Sequence, residues 1–337
     1  MARRERTTTV ADVATRAGVS PGTVSKALNG RGQLRTETRR RVLDAAEELG
    51  YAPNLAARAL LSGRTYTVGI LTTDNVGRFT IPLLTGAEDA LGAGEMGMLL
   101  CESRGDPIRE QHYVRLLTSR RVDGIIVTGR SSDVRPSLGT LPVPVVYAMN
   151  QSDDPNDFSL LHDDEQGAID AVNHLIETGR RNIAHVGGPL RHIAAVNRVR
   201  GSTIALAEAG LPMVLGQPLH GEWSEQWGRE AAHLLARSGQ EFDGVFCASD
   251  QIARGLADGL REIGVDVPGS VGIVGVDNWD VMALASRPPL TSIDLNLTEL
   301  GHRAASRLLD AINDRPLPHG VEKVPCQLIK RRSTEMS

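Results

Sequence analysis

The sequence predicts two kinds of structure in one chain: a small all-α head and an α/β body folded as two lobes around parallel sheets. Three observations carry this. With 337 residues the chain is too long for one ordinary core. Its first fifty residues carry short helical patterns separated by turn residues, whereas from Tyr66 onward apolar runs alternate with amphipathic helical stretches, twice over. The charge is also uneven. Residues 1–64 hold twelve basic and six acidic side chains, a net of +6, and the remaining 25 basic and 35 acidic residues give a net of -10. A basic head on an acidic body points to nucleic acid at one end.

In the head, Thr9 is placed to cap a first helix with Asp12 three residues later, and Val10, Val13, Ala14 and Ala17 follow at helical spacing. Gly18 stands where the chain must turn, and Ser20 and Pro21 open a second helix as cap and first position. Packing Ala14 and Gly18 against Val24 and Leu28 leaves Pro21, Gly22, Thr23, Ser25 and Lys26 outside. That is a helix-turn-helix, whose second helix enters the major groove. A third helix is expected with Thr36 as cap and a stripe of Val42, Leu43, Ala46 and Leu49 ending at Gly50. Arg39, Arg40 and Arg41 stay available to phosphates.

The run VADVATRAGVSPGTVSKALNG, followed by LGYAPNLAARAL, resembles the DNA-binding head of the lactose/galactose repressor (LacI/GalR) family. The resemblance extends along the chain through VGIL at 68–71, VDGIIV at 122–127, VPVV at 143–146, SDQIARG at 249–255 and PPLTSI at 288–293. It implies that Pro21, Gly22 and Lys26 read bases. Lys26 alone of these can donate to guanine. It also implies that Thr23, Ser25, Asn29 and Tyr51 hold phosphates, with Thr9 and Ser20 beside them at the DNA. Residues 53–64 would carry the family's hinge helix and linker, with Asn54, Ala57 and Leu60 toward the minor groove and Leu60 as the apolar wedge. The head is then residues 1–52 and the body 65–337.

In the body, VGILTT, MGMLLC, VDGIIVTG and VPVVYA read as strands separated by helices near 81–93 and 107–119. A second set follows: a helix from Asp164 to Thr178, NIAHVGG, a helix to Gly210, a helix from Ser224 to Arg237, GVFCAS, a helix to Ile263, and VGIVGVD. Strict alternation of this kind means parallel sheets with right-handed crossovers. The resemblance implies a two-lobed, periplasmic-binding-protein-like (type I) body crossed near 162, 292 and 322. Lobe one would hold about 65–161 plus 293–322, lobe two about 162–292, with a C-terminal segment 323–337. Ligands of such sheets lie beyond the carboxyl ends of strands, here between the lobes.

Several residues fall at those strand ends. Arg198, in NRVRG, resembles the family arginine that holds a ligand with its planar fork. Asp277 ends VGIVGVD and matches a carboxylate that accepts two hydroxyl hydrogen bonds. Trp223 offers an indole face, on which a pyranose stacks. Ser249 and Asp250 end GVFCAS, with Ser249 shorter than the asparagine frequent in relatives. Met149 stands where the family often has an acid, with Asn150 beside it, and Phe79 either closes the first-lobe side or belongs to the core. His162 and Asp163 lie at the first crossover, and His162 is set aside, since a lone histidine is more often a satisfied structural residue.

Cys101, Cys247 and Cys326 are far apart and lack metal-ligand or disulfide spacing, so they are read as reduced, buried residues, and no metal or cofactor is expected. No apolar run approaches a membrane span, and the basic N-terminus is followed by threonines rather than an export signal, which leads to a cytoplasmic expectation. The Walker, nucleophile-elbow, HExxH and dinucleotide motifs are missing, so an enzyme is not expected. The reading is a homodimeric transcriptional regulator, in this family most often a repressor, whose affinity for a pseudo-palindromic double-stranded DNA operator is set by a small molecule, a sugar before a purine or nucleoside. An exported solute-binding protein is the disfavoured alternative. The dimer, rather than a tetramer, is expected from the lack of leucine heptads beyond the body.

Overall fold

The computed structural model describes residues 8–28, 33–51, 63–74 and 77–335. Contacts divide the chain into two units, Met1–Thr65 and Tyr66–Ser337.

The first unit contains α1 (Val10–Ala17), α2 (Pro21–Leu28) and α3 (Thr36–Glu48). Thr9 and Asp12 form a reciprocal capping box: the Asp12 amide donates to Thr9 Oγ1 at 3.3 Å and the Thr9 amide to Asp12 Oδ2 at 2.8 Å. Gly18 then takes φ 62°, which a residue without Cβ adopts at little cost and which turns the chain into α2. The core is made of Val13, Ala14, Ala17, Val24, Ala27, Val42, Ala45 and Ala46. Two expectations for α3 need correction. Arg35, without a side-chain bond, occupies the cap position and Thr36 is already helical. Leu43 is 47% exposed, because the stripe facing α1 and α2 runs through Ala45 instead.

The second unit runs through β1 (Thr67–Thr72), α4 (Thr80–Ala93), β2 (Gly97–Glu102), α5 (Pro107–Ser119), β3 (Gly124–Thr128), β4 (Val134–Arg135), β5 (Val145–Ala148), β6 (Gln151–Ser152) and β7 (Phe158–His162). It continues through α6 (Asp164–Glu177), β8 (Ile183–Gly187), α7 (Ile193–Glu208), β9 (Leu219–His220), α8 (Glu225–Arg237), β10 (Gly244–Cys247), α9 (Asp250–Glu262), β11 (Gly272–Val276) and α10 (Asp280–Ala283). The last elements are β12 (Thr291–Asp294), α11 (Leu297–Ile312), β13 (Gly320–Val324) and β14 (Gln327–Ile329). One sheet has the order β13-β7-β5-β3-β1-β2, all parallel. The other has the order β14-β12-β11-β10-β8-β9, parallel except for β14 against β12. The central strands are covered on both faces, which is why β3, β8, β10 and β11 are buried at every residue and read in sequence as unbroken apolar runs.

The crossings between sheets differ slightly from the expected positions. The first lies between His162 and Asp164. The second lies after Asp294 rather than near 292, because β12 pairs with β11 to its end. The third lies between Val324 and Gln327, because β13 stays paired with β7 as far as Val324. The C-terminal segment is therefore shared between lobes, with β14, Ser333 and Thr334 held in the second. Cys101 and Cys247 are buried, whereas Cys326, at this third crossing, is only partly so.

Helices pair across glycines. A Cβ on Gly86 of α4 would lie 1.8 Å from the Thr298 carbonyl oxygen of α11, and one on Gly301 would lie 1.9 Å from that of Leu83. Gly201 of α7 approaches Glu165 of α6 in the same way, as do Gly228 and Gly255 between α8 and α9. We expect Gly301→Ala to destabilise the body by about 1–3 kcal/mol or more, since backbone rather than a flexible side chain obstructs the methyl group. Gly92→Ala, on the exposed face of α4 with nothing nearer than 3.9 Å, should instead stabilise by about 0.5–1 kcal/mol. Chemical denaturation of the two variants checks this, and equal midpoints would refute it.

Candidate functional site

A cleft of about 410 Å³ opens between the lobes at the carboxyl ends of their strands. Lobe one contributes Arg78 and Phe79 from the turn before α4, Ser132 from the connection after β3, Met149 after β5 and His162 at the end of β7. Lobe two contributes His192 and Arg198 at and within the start of α7, Trp223 before α8, Ser249 at the start of α9, and Asp277 and Trp279 after β11.

Asp164 anchors the base of the cleft. Arg198 donates to its Oδ1 from Nε at 2.8 Å, with Nη2 at 2.6 Å, and His162 Nε2 and Ser132 Oγ each approach Oδ2 at 3.2 Å. Burial pushes this carboxyl up, but Arg198 and His162 outweigh it and hold it well below the usual carboxylate range. Arg198 Nη1 also donates to the Ala248 carbonyl at 2.6 Å, and the guanidinium lies 5.9 Å from the Trp223 ring. Trp223 itself lies flat over Gly188, where any Cβ would meet the indole at 2.3 Å.

The opposite pole is Asp277, at φ 108° after β11, whose side chain is 5% exposed. Arg78 reaches it from the other lobe at 3.2 Å, its guanidinium 4.3 Å from the Phe79 ring and 4.7 Å from that of Trp279. The contact lacks hydrogen-bond geometry, so Asp277 Oδ2 and Arg78 Nη1 are both buried without a hydrogen-bond partner. Burial pushes the Asp277 carboxyl up, opposed by Arg78 and Arg198. Behind it, burial and the charge of Asp277 push Asp250 up to about 8, so near neutral pH this pair of acids retains a proton. A third polar tie spans the lobes: Asp133 accepts from His192 Nδ1 at 2.7 Å and from the Ile193 amide at 2.8 Å, capping α7 from the other sheet.

Of the residues expected from sequence, Phe79, Met149, Arg198, Trp223, Ser249 and Asp277 line the cleft. Two do not. Asp250 is fully buried and turned away, accepting from Ser292 Oγ at 2.6 Å and from the Trp279 amide at 2.8 Å, so it braces the Asp277 turn from behind. Asn150 faces a neighbouring cavity of lobe one. His162, set aside in sequence, does line the cleft, because the first crossover brings it against Asp164. Ser249 is engaged as the α9 cap, accepting from the Ile252 amide at 3.2 Å. Arg78, His192 and Trp279 were not anticipated, although Trp279 lies only two residues beyond the recognised Asp277.

In the head, Pro21, Gly22, Ser25 and Lys26 are exposed together on α2. Thr9 and Ser20 are exposed as helix caps, Ser20 Oγ accepting from the Thr23 amide at 3.2 Å. Thr23 is half-buried, with Oγ1 2.9 Å from Ser20 Oγ, and Tyr51 is half-buried against the head core. Asn29, Asn54, Ala57 and Leu60 lie outside the described residues. Among the described residues no group of acids, histidines and cysteines has the arrangement of a metal site, and no helix is long and apolar enough to cross a membrane.

Residues 9–54 match the model of the bacterial regulatory proteins of the lacI family, and residues 172–334 that of the periplasmic binding protein-like domain. The chain is 33% identical over 330 residues to catabolite control protein A of Priestia megaterium, covering 97% of this chain and 99% of that protein. The transcriptional regulator CelR, solved as a cellobiose complex, superposes with a TM-score of 0.66 at 29% identity, covering 97% of this chain and 99% of the other. The lac repressor dimer bound to operator and the anti-inducer ONPF superposes with a TM-score of 0.73 at 25% identity, covering 98% and 100%. The head with its exposed second helix, the two-lobed body and these likenesses over nearly the whole length agree: the chain belongs to the lacI family of bacterial regulatory proteins, DNA-binding transcriptional regulators with a ligand-binding body.

Proposed function

We propose that this chain is a homodimeric repressor of the cytoplasm whose operator affinity is set by a small sugar bound between the lobes. The observation that carries the ligand class is the pair of buried, unsatisfied groups on opposite walls, Asp277 Oδ2 and Arg78 Nη1. A hydroxyl inserted there donates to the carboxylate and accepts from the guanidinium at once, satisfying both. Trp223 supplies an apolar plane beside it, and Arg198 retains donors beyond those given to Asp164 and Ala248. A ligand touching both walls favours the closed arrangement of the lobes, which is the differential interaction that a switch needs. Asp164 is committed to Arg198, and Asp250 to Ser292 and the Trp279 amide, which leaves Asp277, of these three, as the acid open to a ligand, so the cleft is read as a binding site without turnover. The cellobiose complex of CelR supports a sugar by similarity.

On the DNA side, α2 is the reading helix, and the segment 53–64, with Leu60 as wedge, is the proposed hinge between head and body. Lys26→Ala should lose about 1–3 kcal/mol of discrimination at one base pair per half-site. Leu60→Ala should weaken operator binding while leaving binding to scrambled duplex unchanged, since the latter rests on neutralising phosphates. Salt-matched titrations on both duplexes read this. Unaltered operator preference in both variants would sink the assignment of the reading surface.

A thermal-shift screen of mono- and disaccharides, with hypoxanthine and adenosine as the competing class, tests the ligand. Asp277→Ala should abolish the shift through loss of a charged hydrogen bond of about 1.5–3 kcal/mol and leave operator binding intact. Arg198→Ala should behave differently. It strands the buried Asp164 carboxylate, so besides losing the ligand it should cost about 3–5 kcal/mol of body stability by denaturant titration. A shift with the purines and none with any sugar would replace the sugar by the nucleobase class.

A further inference from the structure

Lobe one holds a second cavity, of about 650 Å³, between the start of α5 and the connection from β3 to β4. It meets the interlobe cleft only at Arg130 and Ser131. Asn150 lines it, is 4% exposed, and keeps its Oδ1 without a hydrogen-bond partner. A buried amide oxygen left so is costly, and a ligand donor would relieve it. Arg115 and Arg130 stand exposed on the same cavity, and neither is ion-paired among the described residues, whereas its third arginine, Arg135, is held by Glu110 at 2.6 Å. Val114 and Leu138 give the walls an apolar part.

Unpaired guanidinium forks select a carboxylate or a phosphate, and a buried acceptor with partly apolar walls selects a hydroxylated carbon skeleton. We propose that this cavity is a second ligand site for a small anionic polyol, a sugar acid or sugar phosphate. Arg115 and Arg130 hold the anionic group and Asn150 accepts from a hydroxyl. The site acts on the same closure as the cleft. The segment that forms its rim continues into Ser132 and Asp133, which bond to Asp164 and to His192 and Ile193 of the second lobe. A ligand resting on that segment biases how the lobes meet, so occupancy of the two sites is thermodynamically linked.

Isothermal titration of the full chain at constant ionic strength with D-gluconate, D-glucose 6-phosphate and D-glucose tests this. At least one of the two anions should bind with a single equivalent per chain and the neutral sugar should not compete for that equivalent. Which anion binds decides between carboxylate and phosphate. Arg115→Ala, a change on an exposed turn of α5, and Asn150→Leu should each weaken that binding by about tenfold or more, and Asp277→Ala, which touches no side chain lining this cavity, should weaken it by less than either and leave the anion bound. Binding of neither anion overturns the proposal. So does anion binding that survives Arg115→Ala but is lost in Asp277→Ala, which would put the anion in the interlobe cleft and leave the reading of that cleft to be judged by its own screen.

Discussion

The buried pair of Asp164 and Arg198 is the interaction on which the body's architecture turns. Asp164 lies two residues after the chain leaves one sheet and opens α6, and Arg198 lies on the helix that packs against it. The guanidinium also reaches Ala248 at the end of β10, so one side chain fixes the start of a lobe, a packed helix and a strand end. A pair this deep is no bargain against well-packed hydrophobes, because desolvation offsets much of its attraction. Its value lies in geometry. His162, Ser132, Trp223 and the cleft floor take their positions from it.

The two ends of the cleft use charge in opposite ways. At Asp164 a guanidinium, an imidazole and a hydroxyl converge on one acid, and the carboxylate is held ionised. At Asp277 two buried acids stand near each other, both pushed up, with Arg78 reaching across from the facing lobe. The first is a fixed structural element. The second is poised, because its strongest partner belongs to the other lobe and meets it without hydrogen-bond geometry.

Much of this was legible in sequence because it is local. The capping box at Thr9, the turn at Gly18, the apolar strands and the carboxylate ending VGIVGVD each follow from spacing and composition within a few residues. What was misplaced depended on distant partners. Asn150 and Asp250 sit beside cleft residues, and the bend after β5, where Met149 takes φ 67°, and the start of α9 turn them away. His162 looked ordinary until the crossover set it against Asp164. Arg78 and Asp133 gain meaning only when the opposite lobe supplies Asp277 and the start of α7. Leu43 and Thr36 show the limit even in a short helix, where a shift of register decides which face is inside.

The chain passes between the sheets at His162–Asp164, after Asp294, and between Val324 and Gln327. Three side-by-side connections restrict rigid lobes mechanically, as several pins on one door do. Sliding or twisting apart would stretch at least one strap, whereas swinging about the line that joins them bends all three gently. The energy of a small contact inside the cleft is thereby channelled into one rotational coordinate instead of being dissipated over many. The same redundancy gives tolerance to damage: a proteolytic nick in any single strap leaves two covalent links, and the lobes keep their axis.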